Sequence, residues 1–218
     1  AAQRETRVRL MSELGVQPRK HWIREADDFW ARNVESFGAG RPVVGVHMRA
    51  TDKAQNILPT WMYIRTLNAF MCHFPGAIVF VATDNEVSLK AVRQWSLRSR
   101  HRAPVVSRPA IRSRVRQSKN PGVRAHVLNL TAQAATLGED VLLDTLLLSR
   151  ANFLLKGRSA VAEFALYFNP ALAANTVDYE LSSSPQHDWA NLSRCPQEMA
   201  RRESLRRGSP IDPHSDSG

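Results

Sequence analysis

Residues 43–53, VVGVHMRATDK, open on apolar, mostly β-branched side chains and close on polar ones, with Pro42 standing immediately before them. A short apolar run bounded in this way reads as a buried strand. Alternate side chains of a strand share a face, so His47 and Arg49 are expected together at its carboxyl end. Open α/β sheets take their ligands at that edge. A guanidinium there offers a forked, permanently charged donor suited to phosphate. The plainer alternative is a strand that ends in a solvated polar loop.

Outward from this stretch the chain alternates between strand and helix. Pro59 is placed to begin a helix whose apolar face holds Trp61, Ile64, Leu67 and Met71. Residues 77–84, AIVFVATD, read as a second buried strand ending in an acid, and 86–97 as an amphipathic helix. Residues 103–106 give a weak third strand, 139–150 a strongly apolar helix, 152–156 a fourth strand, and 160–168 a helix that Asn169-Pro170 stops. One last strand is expected within 171–179. Such alternation implies a parallel sheet with right-handed crossovers, a Rossmann-like α/β domain over residues 41–180. Residues 1–40 read as a helical entry segment broken at Pro18. Its Trp22 and Trp30 either stack on a sugar or, more simply, pack the segment onto the domain. Residues 181–218 turn polar and are expected to form a partly disordered tail. A chain of 218 residues that starts without Met reads as a fragment with its upstream part missing.

The net charge of +10 is unevenly placed, because no acid occurs between Glu86 and Glu139 while residues 87–138 hold 11 Lys and Arg. The Arg-rich part, 108–125, is expected to stand outside the core as a mobile loop. A basic block of this kind attracts anionic polymers or membrane surfaces, or is simply solvated. No aromatic-rich nucleic-acid signature accompanies it. Cys72 and Cys195 lie far apart in sequence with no metal-ligand spacing, and whether they pair is left open. No apolar run is long enough to cross a bilayer. Asn129 and Asn191 head glycosylation sequons.

Three strand ends carry polar groups: His47 with Arg49, Asp84, and the turn from Lys156 to Ser159. A helix starting at Ser159 supplies free backbone N–H groups and a positive dipole end, which suits an anion. Plainer roles exist for each residue. Asp84 can cap the helix after it, Asp144 can pair with Arg49 or Arg150, and His126 and Lys156 can be solvated.

The stretch VGVHMRATDK resembles the first motif of the GDP-fucose-dependent fucosyltransferases, the α1,6- and protein O-fucosyltransferase-like group. Residues 80–84, FVATD, are similar to that family's second strand, and 140–170 to its third motif of helix, strand and Ser-led helix. The resemblance covers roughly residues 40–170 in the family's order. It implies the nucleotide-sugar-binding half of a GT-B fold and an inverting, metal-independent transfer of L-fucose from GDP-fucose to a glycan or protein acceptor. It places Arg49 and His47 at the phosphates as catalytic and binding residues. Asp144 falls at the base or ribose, and Asp84, Arg158, Ser159 and Ala160 complete the donor-binding set. No metal and no cofactor beyond the donor substrate are implied, and the setting would be the Golgi or ER lumen. The chain departs from the pattern at Ala50, where a second arginine is common, and in residues 54–60, AQNILPT, which hold no carboxylate to act as base. Two alternatives stand beside this reading: the same fold using another nucleotide sugar, and a non-catalytic module binding anionic polymers through residues 98–126.

Overall fold

The computed structural model describes residues 17–50, 58–110, 112 and 134–179, with Thr6, Arg9, Glu13 and Gly15 besides; of residues 134–137 it describes the backbone. Helix α1 (Lys20–Asn33) leads through a short 3₁₀ turn into β1 (Val43–Met48). There follow α2 (Thr60–His73), β2 (Ile78–Thr83), α3 (Glu86–Arg98), β3 (Val105–Val106), α4 (Ala134–Ser149), β4 (Phe153–Lys156), α5 (Ala160–Phe168), a second 3₁₀ turn and β5 (Thr176–Asp178). The five strands lie in the order β3-β2-β1-β4-β5 and every pairing is parallel. Strand order therefore reverses between β1 and β4. In an open α/β sheet that reversal splays the connections apart and leaves a crevice at the carboxyl ends.

Both sheet faces are covered, which is why the strands read as unbroken apolar runs rather than alternating ones. Val44, Val46, Val79, Val81 and Leu155 pack against Tyr63, Leu67 and Phe70 of α2 and Leu89 and Val92 of α3. On the other face Val43, Ile78, Phe80 and Leu154 meet Ala26 of α1, Leu143 and Leu147 of α4, and Leu166 of α5. Trp22 and Trp30 pack on this second cluster, and Trp30 lies 6.1 Å from the Phe80 ring, so the helical entry is fastened to the sheet by its indoles. Asn152 clamps the start of β1 from both sides: its side-chain oxygen accepts from Val43 N at 2.8 Å and its backbone N–H donates to Val43 O.

Gly45 lets α4 lie close on the middle of β1. A Cβ there would sit 3.1 Å from Leu148 Cδ2 and 3.2 Å from Ala151 Cβ. Gly45→Val is expected to destabilise the domain by about 1–3 kcal/mol through overpacking. A denaturant melt with unchanged midpoint would contradict this packing.

Three boundaries differ from the sequence expectation. Helix α4 begins at Ala134, not Glu139, because Gly138 is carried inside the helix rather than ending it; a glycine at such a position weakens a helix without breaking it. β3 has only two residues, and a 3₁₀ turn takes up Pro170–Asn175 before β5. The start of the Arg-rich segment is docked, contrary to its expected place outside the core. Arg108 pairs with Asp140, its side chain only 13% exposed, and Arg112 Nε donates to Thr83 O at 3.1 Å. The countercharges come from α4, far away in sequence, so a local charge count could not show them. Residues 111 and 113–125 of that segment, His126, both sequons, Cys195 and the C-terminal tail lie outside the described residues. Cys72 on α2 is disulfide-bonded and lies 3.2 Å from Arg100 Nη2.

Candidate functional site

The carboxyl edge of the sheet carries a line of polar side chains. His47 is in register with Lys156 on β4, and Lys156 with Asp178 on β5. Register-matched residues of parallel strands point to one face, in this sheet the face covered by α5. Lys156 is 0% exposed. Its Nζ lies 2.7 Å from Glu163 Oε1, in the first turn of α5, and 2.6 Å from Asp178 Oδ2. The plainer alternative of a solvated Lys156 is thus corrected: strand alternation turns it inward, and two carboxylates from later elements hold its charge there.

His47 sits beside this group, 6% exposed. Its Nε2 lies 3.5 Å from Ser159 Oγ, and its Nδ1 is buried with no hydrogen-bond partner. Burial first, then the positive charges of Arg49 and Lys156, push the imidazole down to about 3. His47 is therefore neutral at physiological pH, able to donate from one ring nitrogen and accept at the other. In a pH titration followed by NMR its ring signals are expected to hold their neutral-form shifts from pH 7 down to about 4. The sign for stability follows. The unfolded chain takes up this proton near the ordinary value of 6.5 and the native state does not, so His47 costs stability progressively as pH falls below that value. An imidazole that titrates above pH 6 would contradict the buried placement.

Ser159 forms the extended N-cap of α5, is 5% exposed, and makes no side-chain cap to the first turn. Its hydroxyl is turned toward His47 instead, leaving the first N–H groups of α5 open to another acceptor. Arg158 and Ala160, on either side of it, are exposed. Gly157 is packed so tightly that a Cβ would stand 2.9 Å from Leu58 Cδ1 and from the Tyr63 hydroxyl. The turn entering α5 is thereby pinned against α2.

Arg49 follows β1 directly and is half-buried. The next residue is fixed from β2: Ala50 N donates to Asp84 Oδ1 at 2.8 Å. The alternative role of Asp84 as a helix cap falls to its neighbour, since Asn85 Oδ1 accepts from Ser88 N at 2.9 Å. Asp84 instead holds the backbone that carries Arg49.

Asp144, on α4, stands 3.7 Å from Arg108 Nε. That distance makes an ion pair without a hydrogen bond. Neither partner suggested by the plainer sequence reading applies, because Arg150 pairs with Asp27 at 2.5 Å and Arg108 takes the place given to Arg49. Burial raises the Asp144 carboxyl to about 6 against the opposing pull of Arg108 and Arg112, and its Oδ1 is buried with no hydrogen-bond partner.

The fold thus brings His47, Arg49, Ser159 and Asp84 to the reversal between β1 and β4 or directly beside it. It holds Asp144 in a separate cluster with Arg108, Arg112 and Asp140. Sequence reasoning missed Glu163 and Asp178, and read Lys156 as a strand-end polar group with solvation as its plainer alternative. A lysine closing the apolar run 153–155 was the one available signal of a buried, paired cation. Among the described residues no group of three or more His, Cys, Asp or Glu is placed to hold a metal ion.

No protein-family model matches the chain. No curated protein matches it in sequence. Among solved structures the chain is similar to that of the NodZ α-1,6-fucosyltransferase soaked with GDP-fucose, with 18% identity and a TM-score of 0.44 over 78% of this chain and 48% of that one. A selenomethionine form of the fucosyltransferase NodZ from Bradyrhizobium gives 15% identity and a TM-score of 0.44 over 78% and 47%. The chain spans about half the length of these structures. Identity at this level transfers no residue's role.

Proposed function

We propose that this chain is the nucleotide-sugar-binding half of a GT-B glycosyltransferase, taking GDP-fucose as donor and delivering L-fucose to a glycan or glycoprotein acceptor. The observation that carries the reading is the meeting of β1's polar end with the open start of α5 at the strand-order reversal. Arg49 supplies a forked cation, the neutral His47 a ring nitrogen without a partner, and α5 its first-turn N–H groups. Three motifs in family order support the choice of GDP-fucose among nucleotide sugars.

The site acts on the departing GDP. Negative charge grows on the β-phosphate as the bond to the sugar's anomeric carbon breaks. Fixed donors aimed at that oxygen stabilise the transition state more than the ground state. Arg49 and the start of α5 fill that role, and His47 orients Ser159 and the phosphate. Lys156 sets α5 by holding Glu163 in its first turn. Inversion follows if the acceptor hydroxyl attacks from the face opposite GDP. None of these residues is the base that removes the acceptor's proton. The disulfide at Cys72 suits an oxidising compartment, in keeping with a Golgi or ER lumenal setting.

Titration calorimetry of GDP-fucose and GDP in EDTA tests the reading. Binding of both without divalent metal is the expected result. No binding, or binding only once Mg²⁺ is restored, would overturn it.

A further inference from the structure

The two helical layers differ in charge. Helices α2 and α3 with their connections, residues 58–77 and 84–104, hold six Lys and Arg against two acids, Asp84 and Glu86, both at the start of α3. Helices α1, α4 and α5 with their connections, residues 17–42, 134–152 and 157–175, hold seven Lys and Arg against eight acids and are close to neutral. The sequence hides this asymmetry, because only the fold sorts the helices onto opposite faces of one sheet.

The cationic layer also exposes large apolar side chains. α2 and α3 lie side by side, joined by Trp95 Nε1 donating to Asn68 Oδ1 at 2.8 Å and by Thr60 Oγ1 to Ser88 Oγ at 3.2 Å. On α3 the exposed Lys90, Arg93 and Leu97 recur at spacings that form one stripe, and Arg98 is exposed beside it. Arg65, Arg100 and Arg102 are exposed on the same layer. Leu97 is 77% exposed, Trp61 60% and Val87 37%, and all three belong to this layer.

We propose that the α2–α3 layer is a docking surface for an anionic lipid bilayer, on which the molecule lies with its near-neutral layer facing away. Cations on such a surface are drawn to acidic headgroups, and their long stems lie along the interface while the charges reach water. Leucine and tryptophan side chains enter the headgroup boundary and add apolar burial to the electrostatic attraction. A soluble polyanion has no use for Leu97. No helix among the described residues is long and apolar enough to cross a membrane, and the contact proposed is peripheral. It is independent of the nucleotide reading and, because acidic headgroups concentrate on cytoplasmic leaflets, it does not share the lumenal setting proposed above.

Cosedimentation of the full chain with phosphatidylcholine vesicles, with and without phosphatidylserine, tests the proposal. Binding should require phosphatidylserine and weaken as salt is raised. The variant Lys90→Glu/Arg93→Glu/Arg98→Glu should bind at least about tenfold more weakly. Leu97→Ser, which keeps every charge, should bind several-fold more weakly, with thermal melts of both variants confirming that they fold. Failure to bind phosphatidylserine vesicles would overturn the proposal. So would equal binding by Leu97→Ser together with equally tight binding of heparin or single-stranded RNA, which would make the layer a general polyanion site.

Discussion

Lys156→Met is expected to cost the domain about 3–5 kcal/mol, more than Gly45→Val or Arg49→Ala should. The lysine is wholly buried and is the cation between Glu163 and Asp178. Its removal takes that cation from Asp178, 9% exposed, and from Glu163, 26% exposed. Losing one partner of a buried ion pair is far more damaging than losing an exposed one, because the surviving charge keeps its desolvation cost without compensation. Urea melts of wild type and Lys156→Met provide the check. A loss below about 1 kcal/mol, the range of surface pairs, would show that the lysine reaches solvent.

Arg49→Ala should reduce GDP affinity at least about tenfold, or ~1.4 kcal/mol, while leaving the melt unchanged. The side chain stands just past the end of β1 and is not part of either apolar cluster, so its removal opens no cavity in the core. A charge-assisted contact to phosphate is stronger than a neutral one. Lysine at this position should rescue only partly, since an ammonium lacks the planar fork. Equal GDP affinity in wild type and Arg49→Ala would remove the phosphate-binding role.

The parallel sheet was legible because each strand is buried on both faces and so declares itself as an apolar run. The polar ends of β1 and β2 and the start of α5 could be read for a related reason. A parallel sheet brings its carboxyl ends to one edge whatever the details of packing. What could not be read were pairings set by elements distant in sequence. Lys156 meets Asp178 only through the register of β4 on β5, and Glu163 only through the docking of α5. Arg108 and Arg112 looked like part of a self-repelling loop because the acids that receive Arg108 lie on α4. Asp84 and Asn85 were a matter of one residue. Either can cap a helix, and only the turn geometry gives the cap to Asn85 and the Ala50 backbone to Asp84.

Guanine nucleotide binding is the central claim, and competition between GDP, ADP and UDP for wild type and Asp144→Asn tests it most directly. Guanine offers two adjacent donors, N1–H and the 2-amino group, and a carboxylate accepts from both. Adenine and uracil lack that pair and would leave the Asp144 acceptor unsatisfied, at a cost of roughly 1–3 kcal/mol. For the base to reach it, Asp144 must exchange its 3.7 Å contact with Arg108 for the nucleotide. Wild type should therefore favour GDP by about tenfold or more, and Asp144→Asn should erode the preference, because an amide keeps one acceptor oxygen and adds donors. A wild-type chain that binds the three nucleotides equally, or binds none, would contradict the claim.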